Sequence, residues 1–157
     1  MSSYLSFYVV PKKTKKKYDF NKDDGSSEIE VELSKGEPLL LLSYTRSSDI
    51  YQAYNETLHP AYSGMEEKYT EVTYEDSKNV IREFEADLKK TEERLKVDYK
   101  MLKEAGYSSE LWEEIQSFEE YVNDQRKSLE ELKSISNIVY EVYEGYNDFE
   151  KVLINVD

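Results

Sequence analysis

Cysteine is absent from this 157-residue sequence, which removes both disulfide staples and thiolate metal sites. Histidine occurs once, at His59, so any nucleophilic triad would have a single candidate base and no thiol. No stretch approaches the roughly 20 apolar residues that cross a bilayer, and no membrane partner is expected. The opening MSSYLSFYVVPKKTKKK places its charge after a short apolar stretch, the reverse of a secretory leader. The expected location is therefore cytoplasmic, in the host cytoplasm for a phage gene. Apolar residues make up 38% of the chain, below the usual range of about 45–50%. That shortage favours long solvated helices over a thick core. Disorder is excluded by plentiful aromatics, including 15 tyrosines, and by sustained periodicity.

What is abundant is negative charge. The formal net charge is −13, and 35% of residues are charged. Residues 1–24 run the other way, with six lysines against three acids, whereas residues 75–157 hold twelve basic and twenty-two acidic side chains. The acidity belongs mainly to the helical half. A composition rich in Lys, Tyr, Asn and Ile suits a small bacterial or phage gene.

Periodicity sets the architecture. From Ser108 to Tyr146, two rows recur every seven residues: Ile115, Val122, Leu129, Ser136, Tyr143 and Phe118, Gln125, Leu132, Val139, Tyr146. That is the seam of a helix packed lengthwise on another helix. The preceding segment carries Ile81, Phe84, Leu88, Leu95, Tyr99 and Leu102 on one stripe. Thr73-Tyr74-Glu75-Asp76 forms a capping box before it, and Gly106 is expected to close it in the left-handed conformation. Ser108 caps the second helix after a very short connection, so the two must lie antiparallel. Their lengths are roughly 45 Å and 57 Å at 1.5 Å per residue. The tail of the second beyond about Ile135 should meet the sheet, and Gly145 is a candidate early stop. Thr91, Gln125 and Ser136 interrupt the seam as polar register devices.

The first half reads as β-rich. Tyr4 to Val10 is a strand stopped by Pro11, and Lys12 to Lys17 a basic loop. Asp23-Asp24-Gly25 is a turn. Glu28 to Leu33 alternates as a half-buried strand, with Ile29, Val31 and Leu33 on one face. Leu39 to Tyr44 reads as a strand covered on both faces. Ser47 or Ser48 caps a short helix, ended at His59-Pro60. Residues 60–72 carry no clear pattern. The whole is expected to be α+β: one domain over 1–157, with a β-rich base over 1–72 holding a short helix at about 48–58. A helical hairpin follows over 73–146 and a closing strand over 151–156. The sheet should be small and mostly antiparallel, with three to four strands.

Candidate sites are few. Asp19, Asn21, Asp23 and Glu30 stand at positions one, three, five and twelve of a calcium-loop pattern. The glycine falls at seven instead of six, and neither flank is helical, so a solvated hairpin turn is the plainer reading. The lysines at 12, 13, 15, 16 and 17 could neutralise phosphates. The acidic remainder would repel a duplex, so direct duplex binding is not expected. Arg46, Ser48, Asp49 and His59 are the only grouping from which a small hydrolase could be built. No glycine lets a substrate close on that helix terminus, and a plain cap explains Ser48 better.

Tyr51 and Tyr54 are partner-contact candidates, since tyrosine is enriched at interfaces, with partial core packing as the alternative. Rows of glutamate, Glu113, Glu114, Glu119, Glu120, Glu130 and Glu131, complete the set. Such rows could imitate a nucleic-acid backbone for a basic groove on a DNA- or RNA-binding enzyme. Lysines at 89, 90, 96, 100 and 103 suggest ordinary solvated faces instead. The expectation is a non-enzymatic interaction or assembly protein without a cofactor, meeting a protein partner or a second copy of itself. An acidic inhibitor that mimics nucleic acid is the competitor.

Overall fold

Two local devices at Thr73 and Ser108 start the longest elements. The Thr73 hydroxyl accepts from the Asp76 N–H at 3.1 Å, while the Asp76 carboxylate accepts from the Thr73 N–H at 2.9 Å. This reciprocal capping box opens α2, Tyr74–Ala105. Ser108 caps α3, Ser109–Tyr143, by accepting from the Leu111 N–H. The computed structural model describes residues 3–12, 15–22, 25–32, 37–60, 68–106, 108–146 and 148–157. Gly106 carries φ 85° with ψ 164°. The sign of φ explains the glycine, but the expected left-handed closure is replaced by an extended one. Helix α3 ends before Tyr146, because Gly145 turns the chain at φ 79°.

The remaining elements are β1 (Tyr4–Pro11), β2 (Lys15–Lys22), β3 (Gly25–Glu32), β4 (Leu39–Thr45), α1 (Asp49–Leu58), β5 (Thr70–Glu71) and β6 (Phe149–Val156). Four strands form one antiparallel sheet in the order β4-β1-β6-β5. The expected closing strand is thus an interior strand, paired on both sides. Strand β5 emerges from a stretch without a sequence pattern; residues 61–67 of that stretch lie outside the described residues.

Alternate residues Leu5, Phe7, Val9 of β1 and Val152, Ile154, Val156 of β6 share a face. On that face they pack with Ile50, Tyr51 and Tyr54 of α1, Val80 of α2, and Leu132, Ile135, Val139 and Val142 of α3. The α+β class, the antiparallel sheet and the consecutive long helices are as expected. The tail of α3 meets the sheet as its apolar rows require. Beyond the sheet the helical hairpin continues as an arm with a second, smaller core of Leu88, Leu95, Leu102, Ile115 and Val122.

Two further expectations fail. Leu39 to Tyr44 is not covered on both faces. As β4 it pairs only with β1, and Leu39, Leu40 and Leu41 are 50%, 62% and 41% exposed. Among the described residues of β4, Leu42 and Tyr44 reach the core, because the helices cover one face and no described strand pairs with the outer edge. The lysine run is not a loop throughout, although Lys12 lies outside any strand. Lys15 to Lys17 open β2, which pairs with β3 in a separate two-stranded sheet. Lys15 stands opposite Glu32 and Lys17 opposite Glu30 in that ladder. Lys13 and Leu33 lie outside the described residues.

The polar seam residues divide by depth. Ser136 and Ser77 are buried at 5% and 0% and share a hydrogen bond of 3.0 Å, with Ser77 also donating to the Tyr74 carbonyl at 2.7 Å. That pair favours one register of α2 on α3, since a slip would take the buried Ser136 hydroxyl away from Ser77. Thr91 instead turns back to the Asp87 carbonyl of its own helix.

Candidate interaction surface

The sequence-predicted residues disperse once they are placed in the fold. Asp19 and Asn21 lie in β2 opposite Glu28 and Ser26, and Glu30 stands opposite Lys17. A calcium loop needs its chain wrapped around the ion; an antiparallel ladder carries these residues apart. Asp23 is outside the described residues. Among the described residues, no three His, Asp or Glu side chains group to hold a metal ion.

Ser48 and His59 flank opposite ends of α1, roughly 16 Å apart at 1.5 Å per residue. Ser48 caps the helix by accepting from the Ile50 N–H at 3.1 Å. His59 is its left-handed C-cap at φ 46°, donating its N–H to the Asn55 carbonyl at 3.0 Å. Asp49 accepts a 2.7 Å bond from the Ser128 hydroxyl. The Arg46 carbonyl accepts from the Gln52 amide, and its N–H donates to the Ser3 carbonyl. The four residues serve one short helix and do not converge on a pocket.

The tyrosine pair proposed as a contact patch faces inward, which corrects that expectation. Tyr54 is fully buried and packs edge-on to Phe7 with centroids 5.0 Å apart; Tyr51 is 8% exposed. Both lie on the stripe of α1 that the sheet must cover, with Ile50. The Tyr54 hydroxyl has no hydrogen-bond partner among the described residues. Burial, helped by nearby Tyr44 and Asp76, keeps it protonated well above the ordinary phenol range.

The glutamate rows split into two groups. Glu131 accepts from the Tyr44 hydroxyl at 2.6 Å, Glu119 from the Tyr99 hydroxyl at 2.7 Å, and Glu130 pairs with Lys133 at 3.4 Å. Burial first and Glu131 second push the Tyr44 hydroxyl up; at Tyr99 the bond to Glu119 leads. Two of these glutamates therefore tie elements together: Glu131 holds β4 to α3, and Glu119 holds α2 to α3. Among the described residues Glu113, Glu114 and Glu120 take no such partner, and all three are exposed.

A second signal lies in what α3 omits. From Ser109 to Gln125 it carries six carboxylates and no lysine or arginine, while Leu88 to Ala105 of α2 carries six cations and four acids. Sign asymmetry between two neighbouring helices is legible in the sequence.

Two concavities follow the same rows of α2 and α3 along the arm. The first, about 190 Å³, is walled by Asp49, Gln52, Ala53 and Glu56 of α1, Phe84, Asp87 and Thr91 of α2, and Tyr121 and Gln125 of α3. The second, about 320 Å³, lies nearer the tip, between Arg94 and Asp98 of α2 and Leu111, Glu114, Ile115 and Phe118 of α3. Between them Phe118 and Tyr121 stack at 6.1 Å and 21°, and the Arg94 guanidinium sits 5.0 Å over the Phe118 ring. Tyr121 remains 52% exposed. Helix α1 closes the inner end, pinned across both long helices by Asp49–Ser128 and by the Thr57 hydroxyl on Glu83 at 2.8 Å.

Comparison with protein-family models, curated proteins and solved structures finds no match for this chain. No helix among the described residues is long and apolar enough to cross a membrane. Among the described residues this surface presents exposed aromatic faces and carboxylates without side-chain partners.

Proposed function

We propose that this chain is a non-enzymatic interaction or assembly protein that meets a macromolecular partner through its helical arm, residues 88 to 129. The observation that carries this reading is the arm's own economy of packing. Beyond the sheet each helix buries a single stripe, flanked by a few polar ties, and most of its remaining side chains are exposed. The base closes its core without the arm, so the arm's length is best explained by what it reaches.

The test is retention of a partner from the native host by the intact chain and by a variant carrying Glu113→Lys, Glu114→Lys and Glu120→Lys. Light-scattering mass is recorded for both. A partner, or a stable homo-oligomer, held by the intact chain and lost by the variant supports the reading. Equal retention by both removes the arm from it.

One observation favours a second reading, an acidic mimic of nucleic acid. The cation-free run of six carboxylates over Ser109–Gln125, on a chain of net charge −13, resembles the charge that a basic groove is built to hold. Excess duplex DNA displaces the partner under this reading, and leaves it bound under the first.

A further inference from the structure

We infer that the side groove of the arm, running from α1 to the tip, docks a basic amphipathic helix of a partner protein. This rests on the reading of the arm as the engaging element and names where on the arm the contact is made. Along α2 the groove extends from Phe84 to Asp98, about 21 Å at 1.5 Å per residue, which is the length of a four-turn helix. Phe84, Leu111, Phe118 and half-exposed Tyr121 give its mainly polar lining a set of apolar and aromatic contacts. Its walls are two antiparallel helices, the geometry into which a third helix lays an apolar stripe. The fold already uses this side of the hairpin once: α1 lies across it and buries Ile50 and Tyr54 beneath. The groove begins where α1 stops.

Charge selects the occupant. Asp49, Glu56, Asp87, Asp98 and Glu114 line the two concavities against a single cation, Arg94, which is already seated over Phe118. The Asp49 carboxylate is held by Ser128, but the side-chain carboxylates of Glu56, Asp87, Asp98 and Glu114 have no hydrogen-bond or ion-pair partner among the described residues. A helix bearing leucine-like anchors on one stripe and lysine or arginine beside it satisfies both features; an acidic helix satisfies neither.

The probe is a synthetic Leu/Lys peptide of about 18 residues, with leucines at helical i, i+3, i+4, i+7 spacing. A Glu-for-Lys counterpart serves as the control. Fluorescence anisotropy follows each peptide with the intact chain at physiological salt. The Lys peptide is expected to bind saturably and the Glu peptide not at all. D98K/E114K should weaken binding about tenfold or more, and E113K/E120K, an equal charge change on the face of α3 turned from α2, should weaken it less than about threefold. Tyr121→Ser, at an exposed position the fold tolerates, should weaken it about threefold or more.

Equal loss in the two charge variants would reduce the binding to bulk electrostatics and overturn the groove. Loss in E113K/E120K alone would also overturn it, while leaving the arm as the engaging element. Absence of saturable binding, together with partner retention indifferent to every arm variant, would remove both. A dimer in light scattering that D98K/E114K dissociates would seat a second copy there, overturning the assignment to a partner helix.

Discussion

Where α2 and α3 lie on the sheet, their apolar side chains vanish from solvent: Val80, Leu132 and Val139 are 0%, 0% and 1% exposed. Beyond the sheet the same helices pack mainly on each other. Exposure along α2 climbs outward from Leu88 at 5% through Leu95 at 7% to Leu102 at 9%. The heptad rows are continuous across both regions, so the difference lies in what stands opposite. A sheet and a third helix enclose the base, while solvent flanks the arm on both sides. A stripe two residues wide can hold two rods together, but it cannot make them as resistant to opening as a three-sided core. Contact surfaces that must adapt to a partner are commonly drawn from the less stable end of a fold.

The largest expected effects test that contrast directly. Phe7→Ala, under α1 in the base, should cost about 3–5 kcal/mol in urea unfolding, and Leu95→Ala in the arm should fall at the low end of the usual range, about 2 kcal/mol. Equal losses would erase the distinction. Hydrogen exchange sharpens it: amides of α2 from Leu95 outward should exchange through local opening, while those of β1 and β6 wait for global unfolding. At the border between the regions, Ser136→Ala should cost about 0.5–1.5 kcal/mol by removing one of the two hydrogen bonds of the buried Ser77 hydroxyl. The double variant with Ser77→Ala should cost less than the sum of the singles, as a double-mutant cycle would read.

A smaller effect of opposite sign is expected in the base. Tyr54→Phe removes a buried hydroxyl that lacks a partner and should raise stability by about 1 kcal/mol. The last effect depends on pH. Burial raises the hydroxyls of Tyr44, Tyr54 and Tyr143 above the usual phenol range, with Glu131 adding at Tyr44 and Glu71 at Tyr143. The folded chain therefore keeps protons that the unfolded chain releases from about pH 10 upward. Stability should be level below that point and fall as pH rises beyond it. Tyr44→Phe should flatten the fall in denaturant titrations made between neutral and alkaline pH.

Much of this fold is written in short-range signals. The capping box at Thr73, the Ser108 cap, and the rows through Leu88, Leu95, Ile115 and Val122 need nothing distant to be read. Positions within the sheet do need it. Four consecutive leucines carry no periodicity, so nothing local tells an edge strand from a central one, and β4 turned out to be an edge. Lys15 to Lys17 resemble a loop until Glu30 and Glu32 stand opposite. Tyr51 and Tyr54 were ambiguous because tyrosine suits a core and an interface equally well. The groove was the least legible feature, since residues from α1, α2 and α3, spread between Asp49 and Gln125, meet there only after folding. Its acidic wall alone left a trace, as a stretch of α3 without a cation.

The pairing of β1 with β6 sets Leu5 against Val156, neighbours in space across nearly the whole chain. Closing so long a loop is slow, whereas the short Gly106 connection lets the two long helices find each other at once. During refolding, the rod should therefore assemble well before the sheet beneath it, and β1 would wait with one flank open until its last partner arrives. A burst of helical signal followed by a slower rise in protection at Phe7 and Ile154 would be the kinetic record of that order.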